Sequence, residues 1–177
     1  MNNNIQTIWF AGGCFWGLQK YFNLIRGVTG TEVGYINGNT PNPTYEEVYT
    51  DTTGYMECVK VIYDAEILDL EDLIRFFFKA IDPTRDNGQA FDIGTRYKSG
   101  IFYHPAYTSD AAVAQKVHDE VSKGYSATIH VAIGPVKSYY PAEEYHQNYL
   151  DKNPGGYCHI RPQLYEFAKK ANGKKRH

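Results

Sequence analysis

The chain has 177 residues with 18 Lys+Arg against 20 Asp+Glu, a formal charge of −2, so no basic excess points to nucleic acid or to an acidic membrane surface. With 42% hydrophobic residues it can bury a core of ordinary domain size, which excludes disorder, coiled coil and collagen. Aromatics reach 15%, carried by 16 Tyr, a side chain that joins apolar area to a hydroxyl donor.

Residues 7–10 form the first expected strand, bounded by Gly12-Gly13. A helix starting near Cys14 buries Leu18, Tyr21 and Phe22 until Gly27 ends it. A second strand covers 28–35, and the segment 37–43, with Gly38, Pro41 and Pro43, reads as a turn-rich loop. Residues 58–63 read as a third strand. Asp69 is placed to cap a helix whose core positions are Leu70, Leu73, Ile74, Phe77 and Ile81. Asp82-Pro83 ends it, and a polar loop runs to Tyr97. A short strand at 100–103 precedes a helix capped by Ser109, with Val113, Val117 and Val121 at spacing four. A fifth strand is expected at 128–133. The Tyr-rich tail from about 135 holds one helical piece around 142–150 and a break at Gly155-Gly156. The order β-α-β-β-α-β-α-β predicts an α/β (α+β) fold, a two-layer sandwich with a ferredoxin-like split βαβ sheet, helices packed on it and a partly irregular tail. No repeat or linker interrupts it, so residues 1–177 read as a single domain, and the basic end at 174–177 as solvated.

Three cysteines, Cys14, Cys58 and Cys158, are too few for a disulfide-stapled secreted scaffold, and no CxxC pair suggests zinc. No signal-like h-region and no membrane-length apolar run is visible, so the expected location is cytoplasmic, where a reduced cysteine is free for catalysis. Neither a GxGxxG fingerprint nor a P-loop is present, and no bound cofactor or metal is expected. The most informative stretch is Gly12-Gly13-Cys14-Phe15-Trp16-Gly17. A cysteine between a strand end and a helix start meets unpaired N–H groups that favour the thiolate. The glycines allow close approach to its sulfur, and Phe15 and Trp16 supply an apolar wall. The same stretch also reads as a buried structural cysteine in a glycine turn.

Gly13-Cys14-Phe15-Trp16-Gly17 resembles the signature of the peptide methionine sulfoxide reductase A (MsrA) family, and further segments match in order. Pro43-Thr44-Tyr45-Glu46-Glu47-Val48 is similar to the family's segment with a substrate-site tyrosine, and Thr53-Gly54-Tyr55-Met56-Glu57 to its "TGHAE". Asp82-Pro83-Thr84 resembles "HDPT", the run from Asp92 to Ser99 resembles "DxGTQYRS", and the run from Ala142 to Gln147 resembles "AExYHQ". The resemblance implies reduction of the S epimer of methionine sulfoxide, free or in proteins. It implies Cys14 as nucleophile, Glu57 as acid, and Tyr45 and Tyr97 as hydroxyls on the sulfoxide oxygen. Asp92 is implied as a polar neighbour, with Phe15 and Trp16 around the ε-methyl group. Cys158 would resolve the Cys14 sulfenic acid as a disulfide, reduced by thioredoxin or, in vitro, by dithiothreitol.

The chain departs from the pattern at three places. Tyr55-Met56 replaces His-Ala, the loop 86–91 differs from "NRQGN", and His159-Ile160-Arg161-Pro162 follows Cys158 in place of a glycine-rich tail. Two other readings compete: a cysteine hydrolase or acyltransferase with His146 or His118 as base, and a redox-sensing domain without turnover. On residues alone, His146 is expected to be structural, donating a hydrogen bond in the aromatic tail.

Overall fold

Apolar residues on both sides of the pleat define the first strand, β1 (Ile5–Ala11), in a computed structural model that describes residues 4–172. Its Ile8 and Phe10 enter one core, and Trp9 and Ala11 a second core on the opposite face. The chain continues through α1 (Phe15–Asn23), β2 (Val28–Ile36), α2 (Tyr45–Tyr49), β3 (Met56–Asp64) and α3 (Leu70–Lys79). A two-residue hairpin, β4 (Gly88–Gln89) and β5 (Asp92–Ile93), precedes β6 (Ser99–Tyr103), α4 (Ser109–Ser122) and β7 (Val131–Pro135). The last elements are β8 (Tyr139–Pro141), α5 (Tyr149–Lys152) and α6 (Pro162–Lys170).

The main sheet has the order β7-β6-β1-β3-β2-β8. β1α1β2 leaves a gap that β3 fills antiparallel to both neighbours, and β6 lies antiparallel on the other side of β1. Two βα units interlock in this way, which is the split βαβ arrangement expected from the element order. β7 extends the sheet parallel to β6, and β8 covers the β2 edge. Phe10 ties the layers together: its ring stacks on Phe22 of α1 at 4.9 Å and on Phe77 of α3 at 4.7 Å. Such ring pairs contribute roughly 0.5–1.5 kcal/mol beyond the area they bury.

Several local expectations are corrected. α1 ends at Asn23, with Leu24 as its C-cap, before Gly27 is reached. The N-cap of α4 is Thr108 and Ser109 is its first helical residue, while Asp69 sits at the N-cap of α3 without a side-chain cap bond. The fifth expected strand begins at Val131, because the His130 N–H is taken by the Pro83 carbonyl at 2.6 Å rather than by a strand. The helical piece near 142–150 divides into a 3-10 turn at Glu144–His146 and the short α5, separated by Asn148 at φ 53°. The tail is also more ordered than expected, since β8 and α6 belong to it. The basic end at 174–177 lies outside the described residues.

Alternation along β3 sends Glu57, Val59, Val61 and Tyr63 toward the helices and Met56 and Cys58 to the opposite face. Cys58 is wholly buried there with Trp9, Ala11, Ile36 and Phe102, and burial pushes its thiol up. Cys58→Ala is therefore expected to cost about 1–2 kcal/mol in denaturant unfolding, as a small cavity would. Thiol titration of the native variant should still find Cys14 reacting at its original rate.

Candidate active site

β1 delivers the chain to a tight reversal in which Gly13 adopts φ +82°, a conformation that L side chains resist. Space imposes the same choice: a Cβ there would lie 2.9 Å from Gln89 Cβ and 3.0 Å from His159 Nε2. Cys14 follows as the N-cap of α1, only 7% exposed, with the Trp16 N–H directed at its sulfur. Burial and the neighbouring Glu57 carboxyl nevertheless hold the thiol well above its ordinary range. This corrects the expectation that the helix start favours the thiolate. The N–H contribution is present, but desolvation outweighs it. At rest Cys14 is a thiol.

Glu57 rises from β3 beneath it, 1% exposed, and its Oε1 accepts the Phe15 N–H at 3.1 Å. Burial pushes its carboxyl up to about 8, against the pull of that N–H and of Arg96. Arg96 does not ionise Glu57 because its own charge is taken up by Asp51 at 2.5 Å. Its guanidinium also stacks on Tyr49 at 4.2 Å and Tyr97 at 4.5 Å. Tyr45, at the start of α2, and Tyr97, in the 3-10 turn Thr95–Tyr97, are both raised by burial and by the field of Glu57 and Cys14. The Arg96 guanidinium, spent on Asp51 and the Tyr49 carbonyl, pulls the Tyr97 phenol back down only in part, so Tyr97 keeps its proton at neutral pH. Three neutral O–H donors thus surround one thiol at neutral pH.

An aromatic wall completes the site. The buried Phe15 ring lies against Tyr35 at 5.8 Å and His146 at 5.3 Å, and Trp16 stacks on Tyr149 at 3.8 Å. Trp16 Nε1–H donates to His146 Nδ1 at 3.0 Å, so His146 accepts where it was expected to donate. Tyr45 packs on the same imidazole at 4.5 Å. Glu143 anchors this side: it accepts from the Tyr35 hydroxyl at 2.8 Å and from the Tyr45 N–H at 2.9 Å, holding α2 against β2.

The tail closes over the other side. Tyr157 donates to Asp92 at 3.0 Å, and His159 Nε2 donates to the Gly12 carbonyl at 3.1 Å. Between them Cys158 Sγ lies 2.7 Å from the Tyr165 hydroxyl. A Cβ on Gly17 would meet that sulfur at 3.0 Å, so glycine in the first turn of α1 lets Cys158 settle beside the helix that begins at Cys14. All three cysteines are free thiols.

The structure thus brings Cys14, Glu57, Tyr45, Tyr97, Asp92, Phe15 and Trp16 together, with Cys158 at the margin. His118 is elsewhere, bonded to Asp119 on α4, and His146 spends Nδ1 on Trp16, so neither forms the imidazole–thiol pair of a cysteine hydrolase. Tyr55, at the place of the family's histidine, turns away from Glu57 and donates to the Thr40 carbonyl. Sequence reasoning missed Glu143, the Asp51–Arg96 pair, Tyr157 and Tyr165. Glu143 lay inside a recognised motif, whereas the two tyrosines carried no signal among 16. Among the described residues no group of three or more His, Cys, Asp or Glu is arranged to hold a metal, and no helix is long and apolar enough to cross a membrane.

Similarity to known proteins agrees with this geometry. The peptide methionine sulfoxide reductase MsrA of Clostridium acetobutylicum is 51% identical over 160 residues, 90% of this chain and 98% of that protein. Mxr1 from Saccharomyces cerevisiae in reduced form superposes with a TM-score of 0.83 at 36% identity, covering 88% of this chain and 90% of that one. Mxr1 in complex with Trx2 gives a TM-score of 0.59 at 25% identity, covering 84% and 87%. The family described as peptide methionine sulfoxide reductase matches residues 6–176, and the chain belongs to it.

Proposed function

We propose that this protein reduces the S epimer of methionine sulfoxide to methionine, with Cys14 as nucleophile and Glu57 as acid. The observation that carries this reading is a carboxyl kept protonated by burial and bonded to the helix start that carries a buried thiol. The sulfoxide oxygen takes hydrogen bonds from Glu57, Tyr45 and Tyr97, which draws electrons from its sulfur. Cys14 sulfur then bonds to that oxygen's sulfur centre, the oxygen transfers to Cys14, and methionine leaves as the sulfide. Glu57 gives its proton to the oxygen and recovers one from the Cys14 thiol, so thiol plus sulfoxide become sulfenic acid plus sulfide. Phe15 and Trp16 hold the methyl group, and with the hydroxyls on the other side only one epimer fits. Asp92, tied to Tyr157, keeps the tail segment over the site.

Cys158 then attacks the Cys14 sulfenic acid, expelling water and forming a Cys14–Cys158 disulfide. Thioredoxin reduces that bond, a reading supported by the structure of yeast Mxr1 with Trx2. The proposed setting is the reducing cytoplasm, where a cycled thiol is returned to its reduced form. The direct test follows methionine formation from methionine S-sulfoxide with dithiothreitol and then with thioredoxin. Absence of methionine with both reductants would sink the assignment.

Cys14→Ser is expected to abolish reduction while leaving the thermal transition in place, because an alcohol is a poor nucleophile here. Glu57→Gln should slow single-turnover reduction by about 10²–10⁴-fold, the usual cost of losing a general acid. The wild-type kcat/KM should fall as pH rises through about 8, where the Glu57 carboxyl ionises, and the glutamine variant should lack that limb. A rising limb near pH 8 would instead mean that the singly protonated pair reacts. The same group makes a stability prediction. The unfolded chain loses this proton near the ordinary 4.5 but the native state holds it to about 8, so native stability declines between those values as pH rises. Glu57→Gln should flatten that decline in denaturant unfolding measured at several pH values. Cys158→Ser should release one methionine per enzyme in a burst, accumulate sulfenic acid and lose thioredoxin-supported turnover, as peptide mapping and methionine counting will show.

A further inference from the structure

Exposed aromatic side chains border the residues gathered at Cys14. Among the described residues, eight large apolar side chains are exposed, and four of them, Tyr49, Phe91, Tyr145 and Tyr157, are each one step from a site residue. Tyr49 rests against the Tyr45 ring at 5.8 Å, and Tyr145 against His146 at 4.0 Å. Tyr157 donates to Asp92, and Phe91 directly precedes Asp92. Phe91 stands out: it is 91% exposed, the highest value among these side chains. An isolated surface phenylalanine needs no explanation, but this one is rigidly presented. It occupies the two-residue turn between Gln89 and Asp92, with Ala90 in the unfavourable φ of 50°. Arg85 donates to the Ala90 carbonyl at 2.9 Å, and the Gln89 amide exchanges hydrogen bonds with Asp82 at 2.7 and 2.8 Å. These bonds brace the turn on both strands, so the Phe91 ring is held out at a defined place beside Asp92 rather than on a free loop. A hollow of about 270 Å³ opens between Tyr45, Glu46 and Tyr49, on the side of the site that Tyr45 lines.

We propose that this rim binds the residues flanking an oxidised methionine, with Phe91 on one side and the Tyr45–Tyr49 hollow on the other. The preferred substrate is methionine sulfoxide in an extended stretch with apolar neighbours, the kind that a folded protein buries and a damaged one exposes. This rests on the reductase reading above, and it follows from continuity. Once the sulfoxide enters beside Cys14, residues one or two places away lie within roughly 7 Å of it at about 3.3 Å per residue. The occupant is a peptide rather than the reductant because Tyr49, Tyr145 and Tyr157 touch Tyr45, His146 and Asp92, Phe91 adjoins Asp92 in the chain, and the surface therefore borders Asp92 and Tyr45 rather than Cys158 alone.

The test compares kcat/KM for three substrates with dithiothreitol as reductant: N-acetylmethionine sulfoxide, a peptide with Leu and Phe on either side of the sulfoxide, and its counterpart with Ser and Asn. The wild type should prefer the apolar peptide to the polar one by about tenfold, a factor within what partial burial of a phenylalanine supplies. Phe91→Ser should erase most of that preference, leave the N-acetyl substrate within about twofold, and be rescued by Phe91→Leu. Tyr107→Ser, at another exposed aromatic beside the opposite sheet face, should change none of the three. Equal losses on all three substrates with Phe91→Ser, or no loss on any, would overturn the proposal. So would a loss seen only when thioredoxin replaces dithiothreitol, which would make the rim a reductant site. Failure of the wild type on every substrate would instead fall on the reductase reading itself.

Discussion

The hydrogen bond from the Phe15 N–H to Glu57 is the constraint around which the site is arranged. It joins the first residue of α1 to the centre of the sheet, and so fixes where Cys14 stands relative to the buried carboxyl beneath it. The bond is made by a group that has lost its water: Glu57 is buried with no charge partner of its own, because Arg96 is already committed to Asp51. A buried carboxylate in that position would be expensive, and protonation removes the expense. The architecture therefore keeps an acid in its acid form without a dedicated hydrogen-bond acceptor to hold the proton. Moving α1 by one residue would break this, and Phe10, stacked between α1 and α3, opposes any such shift.

Burial also settles the resting state of Cys14. The helix start offers Cys14 an N–H that favours the thiolate, but a protonated thiol beside a protonated carboxyl is the form that desolvation selects. In the proposed reaction that is an advantage. A thiol is slow toward passing oxidants and disulfides, since the thiolate is the reactive form. The site becomes reactive only when a sulfoxide oxygen accepts the proton of Glu57 and the carboxylate so formed draws the proton from Cys14. Reactivity is coupled to occupancy by two proton positions rather than by a moving lid.

The interlocked core was legible in the sequence because its elements are amphipathic with clear breaks: Leu70, Leu73, Ile74 and Phe77 mark α3, and Gly12-Gly13 marks the end of β1. The gathering of Tyr45, Glu57, Asp92 and Tyr97 around Cys14 was not readable from periodicity, and became so only through the ordered motif resemblance. What stayed hidden has a common physical cause. β8 has three residues, α2 five and the β4–β5 hairpin two per strand, too short for any period to show. Their places depend on long-range bonds such as Glu143 to Tyr45 and Gln89 to Asp82, which local propensity does not encode. The thiol's protonation state was misjudged for a similar reason, since a helix start can be read from sequence but the depth of burial cannot.

The tail shows how an irregular segment can be positioned without a strand or helix. Tyr157, Cys158 and His159 are consecutive, and each is held by a different part of the molecule: Asp92 on the hairpin, Tyr165 on α6, and the Gly12 carbonyl at the end of β1. Three single hydrogen bonds, each contributing on the order of 1 kcal/mol, hold the segment in place yet are individually cheap to release. In the proposed cycle Cys158 leaves Tyr165 for the Cys14 sulfur, giving up that contact and a weak bond to the Ile160 carbonyl. A resolving cysteine fixed in a strand would have to break a ladder to make the same move. Placing it between glycines and α6, over the bare surface of Gly17, keeps the thiol close to α1 while leaving its path short and its release inexpensive.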